Sequence, residues 1–445
     1  MKKNHRRSFF KKLSLSLASL SFSFSGFPFD LIGKKRNHTP LLSGVEFQDD
    51  FSGIDDRVWI GEKYWAIPME DWEVKGGRLE FSGVEEFSRV NLLTTEIHEG
   101  NGEMKLAADI GLIHKNPAPG KSGSAGFCIG IRDRVDADIK SACYFGKGIN
   151  AGISTKGVLF LADQSTPLPE NFDFSAAALI INGKRVNQST HLTLSCQSKN
   201  GSITEIFYQT NKDVSGLVAL VNNMEEKGGE QFWFKDIKIS GSKIGFQPEN
   251  SFGPILWAMY TLSKGTLNIV AQMPPLGLKD NKTVDLYFQR DNNWEKALTQ
   301  KIDDSARTAH FQIDEWEPGK EVPYQLVYNN KGAEHTYNGI IRKEPLDRPL
   351  KFGGLTCQHA TGYPYSPLVK NLKKHDPDML YFSGDQLYEI NGGYPIKRQP
   401  EQDAILSYLG KWYMFGWTFG PIMRDRPTIC TPDDHDVFHG NLWGE

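Results

Sequence analysis

Cysteine is scarce. Among 445 residues there are five, Cys128, Cys143, Cys196, Cys357 and Cys430, all far apart. They form no C-x-x-C pair and no zinc spacing, and an odd number cannot close entirely into internal disulfides, so a disulfide scaffold is excluded. An excess of one charge is lacking too: 51 Lys and Arg face 54 Asp and Glu, for a formal net charge of -3. No long block of like charges follows the first dozen residues, which argues against nucleic acid held by bulk electrostatics. Past the amino terminus no stretch supplies the about 20 apolar residues that a bilayer span needs, so no transmembrane segment is expected in the mature chain. Apolar residues are not lacking: 39% are hydrophobic and 12% aromatic, ample for real cores. At about 150 residues per domain, the length suggests roughly three domains.

The amino terminus reads as an export signal rather than as fold. Lys2, Lys3, Arg6, Arg7, Lys11 and Lys12 make a basic start, with no acidic residue before Asp30. A moderately apolar, Ser-rich run from Leu13 to Phe29 fits a signal h-region. Arg6-Arg7-Ser8-Phe9-Phe10-Lys11 resembles the twin-arginine export motif. Residues 1–30 are therefore expected to be a twin-arginine-type signal peptide. The resemblance implies a folded protein delivered to the periplasm, the cell envelope or the extracellular space.

Residues 43–242 show short alternating segments broken by turn residues. Asp71-Trp72-Glu73-Val74 meets a Lys75-Gly76-Gly77 turn before Arg78-Leu79-Glu80-Phe81; Leu192 to Cys196 alternates, and Phe232 to Ile239 reads as clean alternation. Period two between turns marks half-buried antiparallel strands, and many of them in about 200 residues predict a two-sheet sandwich. Its ends, Asp49-Asp50-Phe51 with Trp59 and Trp72, and Phe234 to Ile239, resemble concanavalin-A-like or laminin-G-like sandwiches, in which the first and last strands pair. That resemblance implies a glycan ligand, with Trp59, Trp65 and Trp72 as stacking platforms, or calcium held by Asp49, Asp50, Asp55 and Asp56. The blander expectation is that such Trp residues are core and such Asp residues bond their own turns.

A turn-rich segment, Gly241 to Gly253, reads as a linker. Residues 251–346 then carry regularly spaced strands, Leu256 to Tyr260, Leu267 to Ala271, Val284 to Phe288 and Tyr324 to Tyr328. They predict a small immunoglobulin- or fibronectin-like sandwich, acting as a spacer that packs on its neighbour.

The pattern changes in residues 350–445. Lys351 to Thr356 reads as a strand ending at Cys357, Pro367 to Lys374 as a helix, and Asp378 to Phe382 as an apolar strand ending at Ser383-Gly384-Asp385. A further strand, Arg426 to Cys430, ends at Asp433-Asp434-His435-Asp436. Parallel strands deliver side chains at their carboxyl ends, so three strands would bring a thiol, a carboxylate and an acid-imidazole cluster together. Two adjacent cations need such a set of carboxylate, nitrogen and sulfur donors.

Cys357-Gln358, then Gly384-Asp385-Gln386-Leu387-Tyr388-Glu389, then Asp433 to Asp436 with Gly440-Asn441-Leu442-Trp443-Gly444-Glu445, resemble alkaline phosphatase D-type metallophosphatases in order and spacing. The resemblance covers about Trp257 to Glu445. It implies an α/β metallophosphatase domain and a binuclear centre of ferric iron and calcium. Cys357 would be a thiolate ligand to iron, Asp385 the bridging carboxylate, Tyr388 a phenolate ligand and Asn441 a ligand to calcium. Asp434 and His435 would shape the catalytic phosphate site. Which of Asp433, Asp434, Asp436 and Asn441 touches metal is open from the sequence alone. The implied chemistry is in-line attack of a metal-activated hydroxide on a phosphate ester. Two departures are plain: family members continue past the third motif to further His and Asp ligands, and no arginine follows Cys357 to clamp phosphate.

The sequence thus predicts a mostly β multidomain chain: a large β-sandwich, a small immunoglobulin-like sandwich, then an incomplete metallophosphatase domain. The expected function is exported phosphomonoester or phosphodiester hydrolysis. The rival expectation is a non-catalytic cell-envelope protein that binds glycan and carries a vestigial phosphatase tail.

Overall fold

Alternating apolar residues fold into two eight-stranded sheets in the computed structural model, which describes residues 47–84, 87–224, 228–317 and 319–437. The first sheet runs in the order Ile203–Thr210, Ser189–Ser198, Ala177–Val186, Gly102–Leu112, Phe232–Ser240, Arg78–Phe81, Trp72–Lys75. Phe47–Asp49 also joins Phe232–Ser240, antiparallel, with Phe47 opposite Ile239. The second runs Gln164–Pro167, Val158–Leu161, Lys147–Ser154, Gly123–Arg132, Gly216–Met224, Phe87–Ile97, Ile244–Phe246, and Tyr64–Ile67 also pairs with Phe87–Ile97. One cluster that includes Phe51, Trp72, Phe81, Phe127, Phe232 and Phe234 is buried in the sandwich core.

Two expectations need correction here. Phe232–Ser240 does not alternate cleanly: its register to Gly102–Leu112 shifts between Lys235 and Lys238, where Asp236 sits at φ 51°. This bulge changes the phase, so that Phe232 and Phe234 before it and Ile237 and Ile239 after it are all buried. Gly241 to Gly253 is not simply a linker either, because Ile244–Phe246 extends the second sheet beside Phe87–Ile97. A short helix, α1 (Ile139–Phe145), capped by the Asp138 carboxylate accepting from Lys140 N–H, was also not foreseen.

Seven strands follow in two sheets. Trp257–Ser263, Thr266–Gln272 and Thr308–Ile313 form one; Asn293–Lys301, Thr283–Arg290, Val322–Asn330 and Ala333–Ile341 form the other. The two inner faces enclose a separate core that includes Ile269, Phe311, Tyr324 and Leu326.

The last described elements build a parallel sheet, ordered Phe352–Leu355, Met379–Phe382, Thr428–Cys430. Helix α2 (Ser366–His375) crosses between the first two strands, and α3 (Glu401–Met423) between the second and third. The sequence reading missed α3 because it has no polar stripe: Leu406, Leu409, Tyr413, Phe415, Phe419 and Ile422 are all buried. A helix apolar on most sides must be enclosed. One cluster accordingly joins Leu380 and Phe382 of the parallel sheet to α3, Trp257, Phe252 and Trp65 of the large sandwich. Among the described residues no helix is long and apolar enough to cross a membrane.

The described residues belong to one compact unit, Leu42–Glu445. Arg57 of the large sandwich makes a bidentate pair with Asp280 of the smaller one, at 2.7 and 2.9 Å. The Lys279 and Lys331 ammonium groups each reach Asp55 at 2.9 Å. Of the residues proposed from sequence as glycan or calcium ligands, Trp59 stays half-buried, while Trp65, Trp72 and the four Asp residues have other duties. Trp65 is 2% exposed and Trp72 0%, and neither can stack on a sugar. Asp49 accepts from Tyr64 and from Phe51 N–H, Asp50 from Ser52 N–H, Asp56 from Gly76 N–H, and Asp55 holds the two lysines. These four carboxylates serve turns and the junction with the smaller sandwich instead of converging on a cation.

Candidate metal centre

The parallel register places Leu355 beside Phe382 and Phe382 beside Cys430, so the residues that follow all three strands emerge at one edge. Backbone hydrogen bonds stitch the loops. Cys357 N–H donates to Gly384 O at 3.1 Å, and Gln358 N–H to Asp385 O at 2.7 Å. The buried Asp436 carboxylate accepts from Asp385 N–H (2.7 Å), Leu387 N–H (3.0 Å) and Asp433 N–H (2.9 Å). Asp436 therefore acts as a staple between the second and third loops, a role the sequence left open. Gly384, at φ 110°, allows the approach: a Cβ there would lie 2.5 Å from Asp433 Cβ. Cys357 and Asp385 adopt left-handed conformations, at φ 55° and 56°. Such backbone outliers persist only where surrounding bonds enforce them, as they do here.

The side chains meet around Asp385. Its Oδ2 accepts from Tyr388 OH at 2.9 Å and lies 3.5 Å from Cys357 Sγ. Its Oδ1 is buried and has no hydrogen-bond partner among the described residues. Asp385, Asp434 and His435 each offer a ligand atom, all within 4.8 Å of one another. His435 Nδ1 is 2.8 Å from Glu389 Oε2, and the His435 and Tyr388 rings lie 4.4 Å apart. Of the residues predicted from sequence, Cys357, Asp385, Tyr388, Asp434 and His435 are brought together. Asn441 and the twin-arginine segment lie outside the described residues.

Electrostatics follow from this crowding. Burial raises the Tyr388 phenol, and the hydrogen bonds and charges of Asp385 and Cys357 raise it further, which keeps it protonated while no cation is near. Burial lowers the His435 imidazole, but the hydrogen bond and charge of Glu389, with the charges of Asp385 and Asp434, outweigh it and leave the net shift upward. Burial raises Glu389, yet its backbone bond and His435 draw it below its ordinary value. A thiol, a phenol, two carboxylates and an imidazole around an orphaned carboxylate oxygen fit a cation: the orphan oxygen needs a partner and the donors suit a transition metal.

Two residues of the site escaped the sequence reading. Glu389 lies inside the Gly384 to Glu389 motif but had been given no role; its adjacency to Tyr388 was the available signal. Lys411 gave no signal, because an isolated lysine in an apolar run is uninformative. Fully buried on α3, its Nζ donates to Asn391 O (2.7 Å) and Tyr394 O (3.0 Å) and stands 3.8 Å from the centre of the Tyr394 ring. Asn391 Oδ1 in turn accepts from Ala360 N–H at 3.1 Å. Lys411 thus anchors the segment after Tyr388 to α3, and Asn391 ties that segment to the one after Cys357.

No family model matches the sequence, the metallophosphatase family included, and no curated protein matches it. Among solved structures, the chain is similar to a lectin from Bauhinia forficata in complex with GalNAc, at 10% identity over 45% of this chain and 99% of that one, TM-score 0.31. It is similar also to lectin I-B4 of Griffonia simplicifolia in its metal-free form, at 9% identity over 44% and 99%, TM-score 0.30. The carbohydrate recognition domain of Emp47p matches at 10% identity over 44% and 95%, TM-score 0.30.

Proposed function

We propose that the loops after the three parallel strands form a metal-dependent phosphoester-hydrolysing site. The observation that supports this reading is the convergence on Asp385 of Cys357 Sγ and Tyr388 OH, with Asp434 and His435 beside it. Cys357, Asp385 and Tyr388 would hold an iron ion, with Asp434 or Asn441 as donors to a second cation. When bound, such cations supply an acidified water and positive charge for the transferring phosphoryl group. The chain's own contribution is positional. Asp436 and Gly384 fix the loops, Glu389 occupies His435 Nδ1, and Nε2 would face the substrate. Hydrolysis would join the water oxygen to phosphorus and break the bond to the alcohol oxygen; His435 would give that alcohol its proton and regain one from the attacking water.

Metal analysis and a chromogenic phosphoester test the reading. The protein is expected to carry stoichiometric iron with a visible tyrosinate absorption and to hydrolyse p-nitrophenyl phosphate or its diester. Tyr388→Phe should abolish the colour and lower activity at least tenfold. Iron-free protein that stays inactive after reconstitution would end this proposal.

A second reading, glycan binding by the large sandwich, is favoured by one observation. On the edge strand Ile203–Thr210, Phe207 and Ile203 are 66% and 61% exposed, while Ile206 faces the core. An exposed ring on a flat sheet face can stack against a sugar. Binding to a polysaccharide panel that is lost in Phe207→Ala would support it; unchanged binding would remove it.

A further inference from the structure

A wide cleft runs along α3 and contains none of the candidate metal ligands in its lining. It encloses about 840 Å³. One wall is the amino-terminal half of α3, with Ile405, Tyr408, Leu409 and Trp412; a second is the segment leading into it, with Ile396 and Arg398; the third belongs to the smaller sandwich, around Ala306. Trp412 Nε1 donates to Gln272 Oε1 at 3.0 Å, which holds the first and third walls together. A concave, mainly apolar space of this size with few polar groups suits an organic ligand.

Its position relates it to the metal centre. Lys411, next to the wall residue Trp412 on α3, donates to Asn391 O at 2.7 Å, two residues past Glu389, and to Tyr394 O at 3.0 Å, two residues before the wall residue Ile396, so one side chain joins the cleft wall to the loop that carries Tyr388 and Glu389. The lip carries Lys397, Arg398 and Glu401, so the cleft's own selectivity lies in its apolar wall, and such a wall beside a phosphate site complements a molecule that is anionic at one end and apolar at the other.

We propose that this cleft receives the apolar group of an amphiphilic phosphoester whose phosphoryl group sits at the metal centre. The proposal rests on the phosphoesterase reading for its anionic end and on the cleft alone for its apolar end. It commits the substrate class to phosphoesters of long-chain or bulky apolar alcohols. Small polar esters would use only the metal centre.

Titration calorimetry of the full chain with dodecyl phosphate, below its micelle concentration, and with methyl phosphate tests it. Dodecyl phosphate is expected to bind at least tenfold more tightly than methyl phosphate. Ile405→Asp should remove that advantage and leave methyl phosphate binding unchanged. Ala306→Trp, on an exposed loop of the opposite wall, should fill the cleft and do the same, which guards against a folding defect in the first variant. Equal affinities for the two esters, or an advantage that survives both variants, overturns the proposal. Cleft-dependent binding of dodecyl phosphate without turnover of any phosphoester overturns the phosphoesterase reading and leaves the amphiphile site standing.

Discussion

At Lys411 two effects oppose each other. Two carbonyl oxygens and the Tyr394 ring favour the ammonium, while complete burial disfavours any charge and prevails, lowering its pKa from 10.5 to about 7. Nearby Glu70 is raised from 4.5 to about 7, first by burial and then by Asp71, partly offset by its own backbone and by Lys397. The signs follow by linkage. Folded Glu70 keeps a proton that the unfolded chain releases, so its contribution falls as pH rises from 4.5 to about 7. Folded Lys411 gives up a proton that the unfolded chain keeps, so stability recovers as pH rises from about 7 to 10.5. Urea midpoints measured against pH should show both limbs. Glu70→Gln should flatten the acidic limb and Lys411→Met the alkaline one, and a limb that outlasts its own variant contradicts the assignment. These residues also mark where sequence reading stops. The place of Asp385 at the end of a buried strand was legible from the strand pattern, whereas Tyr388 was singled out only by the resemblance of its motif to metallophosphatases. Lys411 and Asp436 act through backbone carbonyls and amides of distant loops, and those partners exist only after folding.

Among elements, α3 and the loops it supports depend on glycine. Gly416 faces Trp257 so closely that a Cβ would lie 2.3 Å from ring atoms, and Gly420 is nearly as close, at 2.7 Å. Gly416→Ala gains helix propensity, about 1 kcal/mol, but overpacking a buried contact costs about 1–3 kcal/mol. The net expectation is a lower thermal midpoint, by a few degrees in a melting curve, and an unchanged midpoint would mean the Trp257 ring yields freely. Gly384→Ala meets both a positive φ and the Asp433 side chain. If these loops hold the proposed iron, Gly384→Ala should lower its occupancy in metal analysis more than it lowers stability, since the strain falls on the loop that carries Asp385. Most strands were legible because half-buried strands alternate, and the sandwich followed from their number. The bulge at Asp236 and helix α3 were not. A bulge changes phase for the sake of partners on another strand, and a helix enclosed on most sides loses the periodic signal by which helices are found.

For the whole molecule, the sharing of one apolar cluster among both sandwiches, α3 and the parallel sheet has a thermodynamic consequence. Segments that share a core lose it together, so the described residues should unfold as one unit rather than as three independent domains. The pair between Arg57 and Asp280 is the test point, because both side chains are almost fully buried, at 8% and 0% exposure. Asp280 also accepts from Gly277 N–H and Asn330. Asp280→Ala takes the carboxylate from the Arg57 guanidinium, which keeps its Nε bond to Asp55 O at 3.1 Å, and from two further donors, and breaking such a buried pair costs about 3–5 kcal/mol. Lys279 and Lys331 bind the same junction through the more exposed Asp55, where solvent screens both pairs. Scanning calorimetry should therefore show a single transition that Asp280→Ala moves sharply downward, while Lys279→Ala barely shifts it. If Asp280→Ala instead splits the transition, with the parallel sheet and α3 melting apart from the large sandwich, the shared core does not couple them. The metal-site loops would then depend on the smaller sandwich alone.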